Sequence, residues 1–400
     1  MVVRSRSRLW QWPGSESTAA CGNRARSPQA ATSGAVPGGR CAGQGSARPP
    51  GHRDEQGRGA GPRHSRDCRR CRGIGEYCRA VDPDLDDESR GRSLLGGRVP
   101  GGHRQEPCPG QVRGRRGGGI NVARHVVRLG GQAVAVHTAG GEVGLRLNRL
   151  LDEEGVDHVA VDIHDETREA LVLFEARSRH SYHLVPPGPQ LHDREGRRCL
   201  EVLERAVGSC PYVVASGSLP GGLRDDFYAA VARRVKEAGS RLILDTSGPA
   251  LRGALAEGVF LLRCNRTEAE SLAGRAISGF DDARALNEHL LTTGAAEIAV
   301  TTLGALGALC STGLGHTELY APPLPGEPLS DAGAGDSMVA ALTTQLAAGE
   351  DPVSACALGV AAAAAAMLTP STEPFDRDTA RSLRSQVRTR LQTGARRRDL

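Results

Sequence analysis

Residues 329–342 read LSDAGAGDSMVAAL, a turn of small residues that runs into an apolar, helix-favouring segment. Gly333, Ala334 and Gly335 let the backbone turn tightly and present bare N–H groups where the helix begins. That is the geometry of an anion site. Asp336 stands at the same helix start with no cation close in sequence. A carboxylate beside an anion cradle can take a proton from a hydroxyl while the cradle steadies charge on a transferred phosphoryl group. On local sequence alone, an Asp here reads as a helix N-cap. The remainder of the chain shifts the reading toward chemistry.

The elements that must position this turn are legible from residue 117 onward. Gly117-Gly118-Gly119-Ile120-Asn121 opens a helix in which Val122, Val126 and Leu129 share one face. Gly130-Gly131 ends it, a strand begins at Ala133, and Gly140-Gly141 turns into a second helix carrying Leu145, Leu147, Leu150 and Leu151. Strands at 212–215, 241–244, 259–262 and 297–300 follow, separated by helical segments. Each ends in polar or glycine residues: Ser216-Gly217-Ser218, Asp245-Thr246-Ser247-Gly248, Arg263-Cys264-Asn265, and Thr301 to Gly307. Alternating strands and helices predict an α/β fold with a doubly wound, mostly parallel sheet, which binds ligands past the carboxyl ends of its strands. Residues 157–185 break the rhythm. Strands at 159–163 and 170–174, with no helix between them, predict a small antiparallel β lid, with Arg168 in the turn.

Composition removes several function classes. The chain has 400 residues, 39% hydrophobic but only 3% aromatic, so its core is built from Ala, Val and Leu. Lys236 is the sole lysine among 51 Lys and Arg residues, and Glu237 follows it. A Gly-Lys-Ser/Thr phosphate loop is therefore absent, and any cation that meets phosphate must be Arg or a metal. Most of the +5 net charge lies before residue 117 with no interleaved aromatics, so no nucleic-acid partner is expected. No apolar leader is visible. The apolar run 355–368 is too short and too alanine-rich to cross a bilayer and reads as a buried helix. A cytoplasmic protein with no membrane partner and reduced cysteines is expected. Residues 1–116, crowded with Gly, Arg, Pro and Ser, predict a low-complexity, poorly ordered or aberrantly framed segment. Its Cys68, Cys71, Cys78 and Cys108 contain one CxxC and make a weak zinc signal.

Five motifs in this order, GGGINVAR, SGSLP, NRTE, LGALGA and GAGDSM, resemble the PfkB, or ribokinase-like, carbohydrate kinases, in particular their phosphosugar branch. The resemblance covers roughly residues 117–385, and residues 117–390 are read as the kinase domain. It implies ATP and Mg²⁺ as cofactors, a sugar phosphate as substrate and a homodimer. Asp336 would be the catalytic base, with Gly333, Ala334 and Gly335 as the anion hole. Gly118, Gly119 and Asn121 would hold the sugar, and Arg168 and Ser218 its phosphate. Arg263, Asn265, Glu268, Thr302, Gly304 and Gly307 would bind the nucleotide, with Glu268 arranging Mg²⁺ through water. Arg263 stands where relatives carry Lys. The family's first strand and its sugar-binding Asp have one counterpart, Asp82-Pro83-Asp84-Leu85-Asp86, with Asp86 the candidate.

The implied reaction moves the γ-phosphate of ATP to a hydroxyl of a phosphorylated ketohexose. GGGIN, with a third glycine before Ile120, resembles the 6-phosphofructokinase type of that branch, a resemblance that implies fructose 6-phosphate. Phosphorylation of fructose 1-phosphate or tagatose 6-phosphate stays open, as does a non-catalytic sugar- or nucleotide-binding protein with an altered first third.

Overall fold

Alternation of apolar residues within four successive runs builds the centre of the sheet. Strands β7 (Tyr212–Ser216), β8 (Arg241–Asp245), β9 (Val259–Cys264) and β10 (Ala296–Thr302) lie side by side and parallel. Val213, Leu242, Leu244, Leu262 and Ala299 point into one core, and Val214, Ile243, Leu261, Ile298 and Val300 into the other. Both faces are apolar because helices cover both, as a parallel sheet requires. Helices α3 (Asp193–Val207), α4 (Phe227–Glu237), α5 (Gly248–Glu257) and α7 (Phe280–Thr292) cover the first face. Helices α1 (Gly118–Arg128), α2 (Gly141–Glu153), α8 (Ala334–Ala347) and α9 (Pro352–Ala366) cover the second.

This computed structural model describes residues 2–4, 81–82, 117–175, 180–208, 210–369 and 373–392. All fall within one unit formed by residues 1–7 and 75–400, and a second unit, residues 8–74, lies outside the described residues. The sheet has ten strands in the order β13-β12-β11-β10-β9-β8-β7-β1-β3-β4. Beyond the parallel centre, β11 (Gly307–Thr312), β12 (Gly315–Tyr320) and β13 (Arg388–Gln392) extend one flank antiparallel. On the other side β1 (Val2–Arg4) pairs antiparallel with both β7 and β3 (Gln132–Ala139). The sheet is therefore mixed around its parallel centre. Asp86 and Cys68, Cys71, Cys78 and Cys108 lie outside the described residues.

One expectation is corrected. The strand read near 159–163 does not belong to a lid: β4 (Asp157–Asp162) is the parallel edge partner of β3 in the main sheet. The separate antiparallel sheet consists of β5 (Ala170–Glu175), β6 (His180–Leu184) and β2 (Val81–Asp82). Val156 sits at 4% exposure and Val161 at 1%, so burial against the main core decided the partner of this short strand.

The apolar run 355–368 falls largely within α9, whose alanines pack against α8. A Cβ added at Gly359 would lie 3.0 Å from Met338 Cγ and 3.2 Å from its carbonyl oxygen, so the two helices approach closely at this point. No helix among the described residues is long and apolar enough to cross a membrane. Cys199, Cys210, Cys264, Cys310 and Cys356 are all free thiols.

Candidate active site

The carboxyl ends of the four parallel strands bring the polar residues together. Ser216 ends β7, and its register partner Asp245 ends β8. Arg263 lies one residue before the end of β9, and Thr302 ends β10. Arg263 Nη1 donates to Asp245 Oδ1 at 3.0 Å and Nη2 to Thr302 Oγ1 at 3.1 Å. One guanidinium thus ties three strands together, using the fork geometry that a lysine lacks. Burial alone would lower the Arg263 pKa, but the Asp245 and Glu268 carboxylates outweigh it and raise it. Burial and the nearby Asp245 charge push Glu268 up to about 7, against the pull of Arg263. Glu268 is fixed by the capping box that starts α6 (Arg266–Ala273). Asn265 N donates to Glu268 Oε2 at 2.7 Å, and Glu268 N to Asn265 Oδ1 at 2.9 Å.

Asp336 reaches this edge from the other direction. Gly333, with φ 79°, is the N-cap of α8, and Asp336 lies in the first turn. The cap role read from local sequence therefore belongs to Gly333. Asn121 Nδ2 donates to Asp336 Oδ2 at 2.9 Å, and Ser216 Oγ lies 3.5 Å from both Asp336 Oδ1 and Asp245 Oδ2. The Asn121 amide is oriented from behind: Arg124 Nη1 donates to its Oδ1 at 3.3 Å. Arg124 is held in turn by Glu154 through Nε at 2.6 Å and Nη2 at 2.8 Å. Arg124 carries only donors, so the amide must turn its oxygen to Arg124 and its nitrogen to Asp336.

The cradle is partly engaged. Ala334 N–H donates to Asp331 O at 3.2 Å, which satisfies an otherwise orphaned helix-start donor within its own loop. A Cβ on Gly335 would fall 2.8 Å from Arg263 Nη1, so the guanidinium lies against the cradle. A Cβ on Gly118 would fall 2.4 Å from Ser216 Oγ and 3.0 Å from Gly217 N. The absence of a side chain there lets the 117–121 turn lie close against the end of β7. Gly119 has ordinary space, its nearest neighbour being Ser216 O at 3.9 Å.

Gly118, Gly119, Arg168, Ser216 and Ser218 line one cavity of about 230 Å³ that runs inward to apolar core residues. Arg168 is buried at 7% exposure rather than solvated in a turn. Gly118, Gly119, Arg168 and Ser218 thus meet at one cavity, Asp245, Glu268 and Thr302 surround Arg263, and Asp336 joins Asn121 to Ser216. Gly304 opens a 3-10 turn (Gly304–Leu306) beyond Thr302. Gly307, with φ 118°, is required by the fold itself, because a Cβ there would strike Leu319 O at 1.9 Å.

Asp245, Asn265 and Glu268 offer hard oxygen donors, and a divalent cation would offset the burial and the Asp245 repulsion that raise Glu268. No group of three or more His, Cys, Asp or Glu side chains among the described residues could hold a metal by itself. The donor set suits an ion that keeps most of its waters, as Mg²⁺ does.

Ser216, Asp245 and Arg124 received no role from sequence. Their signals were present: the first two end predicted strands at the binding edge, and Arg124 lies one helical turn past Asn121.

An α/β edge that gathers a carboxylate, helix-start amides and a buried arginine suits a phosphotransferase, a protein that moves phosphoryl groups between oxygens. The pfkB family carbohydrate kinase profile matches residues 103–379, and the chain belongs to that family. It is 40% identical over 262 residues to ATP-dependent 6-phosphofructokinase isozyme 2 of Mycobacterium tuberculosis, covering 66% of this chain and 76% of that protein. It is 37% identical over 273 residues to the isozyme 2 of Escherichia coli, covering 68% and 87%. The crystal structure of E. coli phosphofructokinase-2 in complex with potassium superposes with a TM-score of 0.68 at 32% identity, covering 78% of this chain and 95% of that one. That enzyme has also been solved in complex with fructose 6-phosphate, TM-score 0.61, and in a tetrameric inhibited form, TM-score 0.66.

Proposed function

We propose that this chain transfers the γ-phosphoryl group of ATP to fructose 6-phosphate, giving fructose 1,6-bisphosphate. The observation that carries the reading is the junction of Asn121, Ser216 and Asp336, where the glycine turn and the GAGD helix start share one carboxylate. The names and identities of the M. tuberculosis and E. coli relatives support the choice of substrate.

Asp336 accepts the proton of the acceptor hydroxyl at Oδ1, the oxygen that Ser216 Oγ approaches at 3.5 Å. The freed oxygen attacks the γ-phosphorus, and the bond to the β–γ bridging oxygen breaks, leaving ADP. Charge that develops on the moving group is steadied by the Gly333–Gly335 amides, with Ala334 N–H released from Asp331, and by Arg263. Arg168 and Ser218 hold the phosphate already on the sugar, and Gly118, Gly119 and Asn121 hold its hydroxyls. Asn265, Thr302, Gly304 and Gly307 seat the nucleotide. Glu268 with Asp245 would hold Mg²⁺ through water, and the ion would supply charge neutralisation at the nucleotide phosphates. The kinase domain is residues 117–390, with β5 and β6 as lid, and the protein works as a cytoplasmic homo-oligomer, a dimer at least.

A coupled assay with fructose 6-phosphate, fructose 1-phosphate and tagatose 6-phosphate tests the proposal. Fructose 6-phosphate should give the highest kcat/KM. ATP binding without turnover on any of the three would overturn it.

A further inference from the structure

Helix α1 meets the first turn of α8 at a second point, one helical turn beyond Asn121. His125, buried at 1% exposure, places Nδ1 2.8 Å from Ser337 Oγ. Ser337 Oγ in turn lies 2.8 Å from Gly333 O, which also accepts from Ser337 N at 2.9 Å. Ser337 is itself fully buried. A hydroxyl has one proton to give. If Ser337 gives it to Gly333 O, His125 Nδ1 must carry the proton of the remaining contact.

The other ring nitrogen agrees. His125 Nε2 has no hydrogen-bond partner, and the ring stands edge-to-face with Phe375 at 5.3 Å between centroids. A buried bare lone pair is less costly than a buried unmatched N–H. Both contacts therefore favour a neutral ring protonated at Nδ1. Burial, with the nearby Arg124 charge, supports neutrality by holding His125 down at about 3.

Gly333 is the left-handed residue on which the cradle turns. Its carbonyl belongs to the same peptide plane as Ala334 N–H, so fixing that oxygen fixes where this amide points. We propose that His125 is a positioning residue for phosphoryl transfer. By donating from Nδ1 to Ser337 it holds Gly333 O, and with it the amide cradle and the Asp336 turn, in register with the 117–121 loop. Asn121 and His125 share one face of α1, so the helix that begins at the sugar loop grips the base-bearing turn at two places. This inference rests on the kinase reading above for its rate measurements.

The test combines His125→Phe, His125→Asn and Ser337→Ala with a tautomer measurement. His125→Phe keeps an aromatic against Phe375 and removes the donor. His125→Asn places an amide N–H close to where Nδ1–H stood. His125→Phe and Ser337→Ala should each lower kcat about 10- to 100-fold, the scale of a displaced transition-state donor, with both KM values within about twofold. The double variant should be no worse than the poorer single one, because both break one chain. His125→Asn should recover most of the rate. Nitrogen-15 NMR of the full chain should show His125 neutral and protonated at Nδ1 from pH 5 to 8.

Full kcat in a folded Ser337→Ala protein, equal loss in the Asn and Phe variants, or an Nε2–H ring would each overturn the proposal. Wild-type protein that turns over no sugar phosphate would defeat the kinase reading instead, and the NMR readout would still decide the hydrogen bond.

Discussion

Asn121 Nδ2 and Asp336 Oδ2 lie 2.9 Å apart although 215 residues separate them in the chain. This contact joins the 117–121 glycine turn to the first turn of α8. If Asp336 takes a proton, Asp336→Asn removes the acceptor and keeps the shape. Turnover should fall by about 10² to 10⁴ while ATP affinity, measured by calorimetry, stays nearly unchanged. A variant that retains a tenth of the wild-type rate would remove Asp336 from the mechanism.

Arg124 is 6% exposed and serves both Glu154 and Asn121. Arg124→Ala removes the ion pair to Glu154 and frees the Asn121 amide to rotate. The Glu154 side chain keeps 23% exposure, so the loss of stability should be about 1–3 kcal/mol, less than for a fully buried pair. Pairing Arg124→Met with Glu154→Leu removes both charges and should restore much of the stability but not the rate. Urea melts and kcat on the same samples separate the two effects. Equal recovery of both would show that Arg124 acts on stability alone.

Gly118 has no room for a side chain against Ser216 Oγ and Gly217 N. Gly118→Ala must turn Ser216 Oγ aside or push the 117–121 loop away from the end of β7. The expected result is at least a tenfold rise in KM for the sugar phosphate with a much smaller change for ATP. Gly119→Ala, where space is ordinary, should be milder, and steady-state kinetics of the pair check the contrast.

Stability should depend on pH in a direction set by buried groups. Burial holds His125 at about 3 and His137 at about 4, from an ordinary 6.5. Unfolded, both bind protons near pH 6.5; folded, both resist. Their contribution is complete above about pH 6.5 and is lost as pH falls toward 4 and then 3, by up to ~1.4 kcal/mol per pH unit for each. Glu268 acts oppositely. Raised from 4.5 to about 7, it contributes below pH 4.5 and loses that contribution as pH climbs through 7. Two histidines outweigh one glutamate, so stability should rise between pH 5 and 6.5. Denaturant melts across that range check the sign, and His125→Asn should flatten the acid limb.

Short-range chemistry was readable without coordinates. The Asn265–Glu268 capping box, the glycine turns before α1 and α8, and the strand ends at Asp245 and Thr302 depend on residues within a turn of one another. Local sterics and hydrogen bonding specify them. The five ordered motifs carried the family, and α9 was legible as a buried helix from its composition.

Tertiary structure decided which distant groups meet. Nothing near Arg263 in sequence says that it pairs with Asp245, eighteen residues away, or that it lies against Gly335. The Asn121–Asp336 contact, the His125–Ser337–Gly333 chain and the parallel docking of β4 on β3 belong to the same group. Partner and register are set by how whole elements bury their apolar faces together, a sum over many weak contacts that no local window contains.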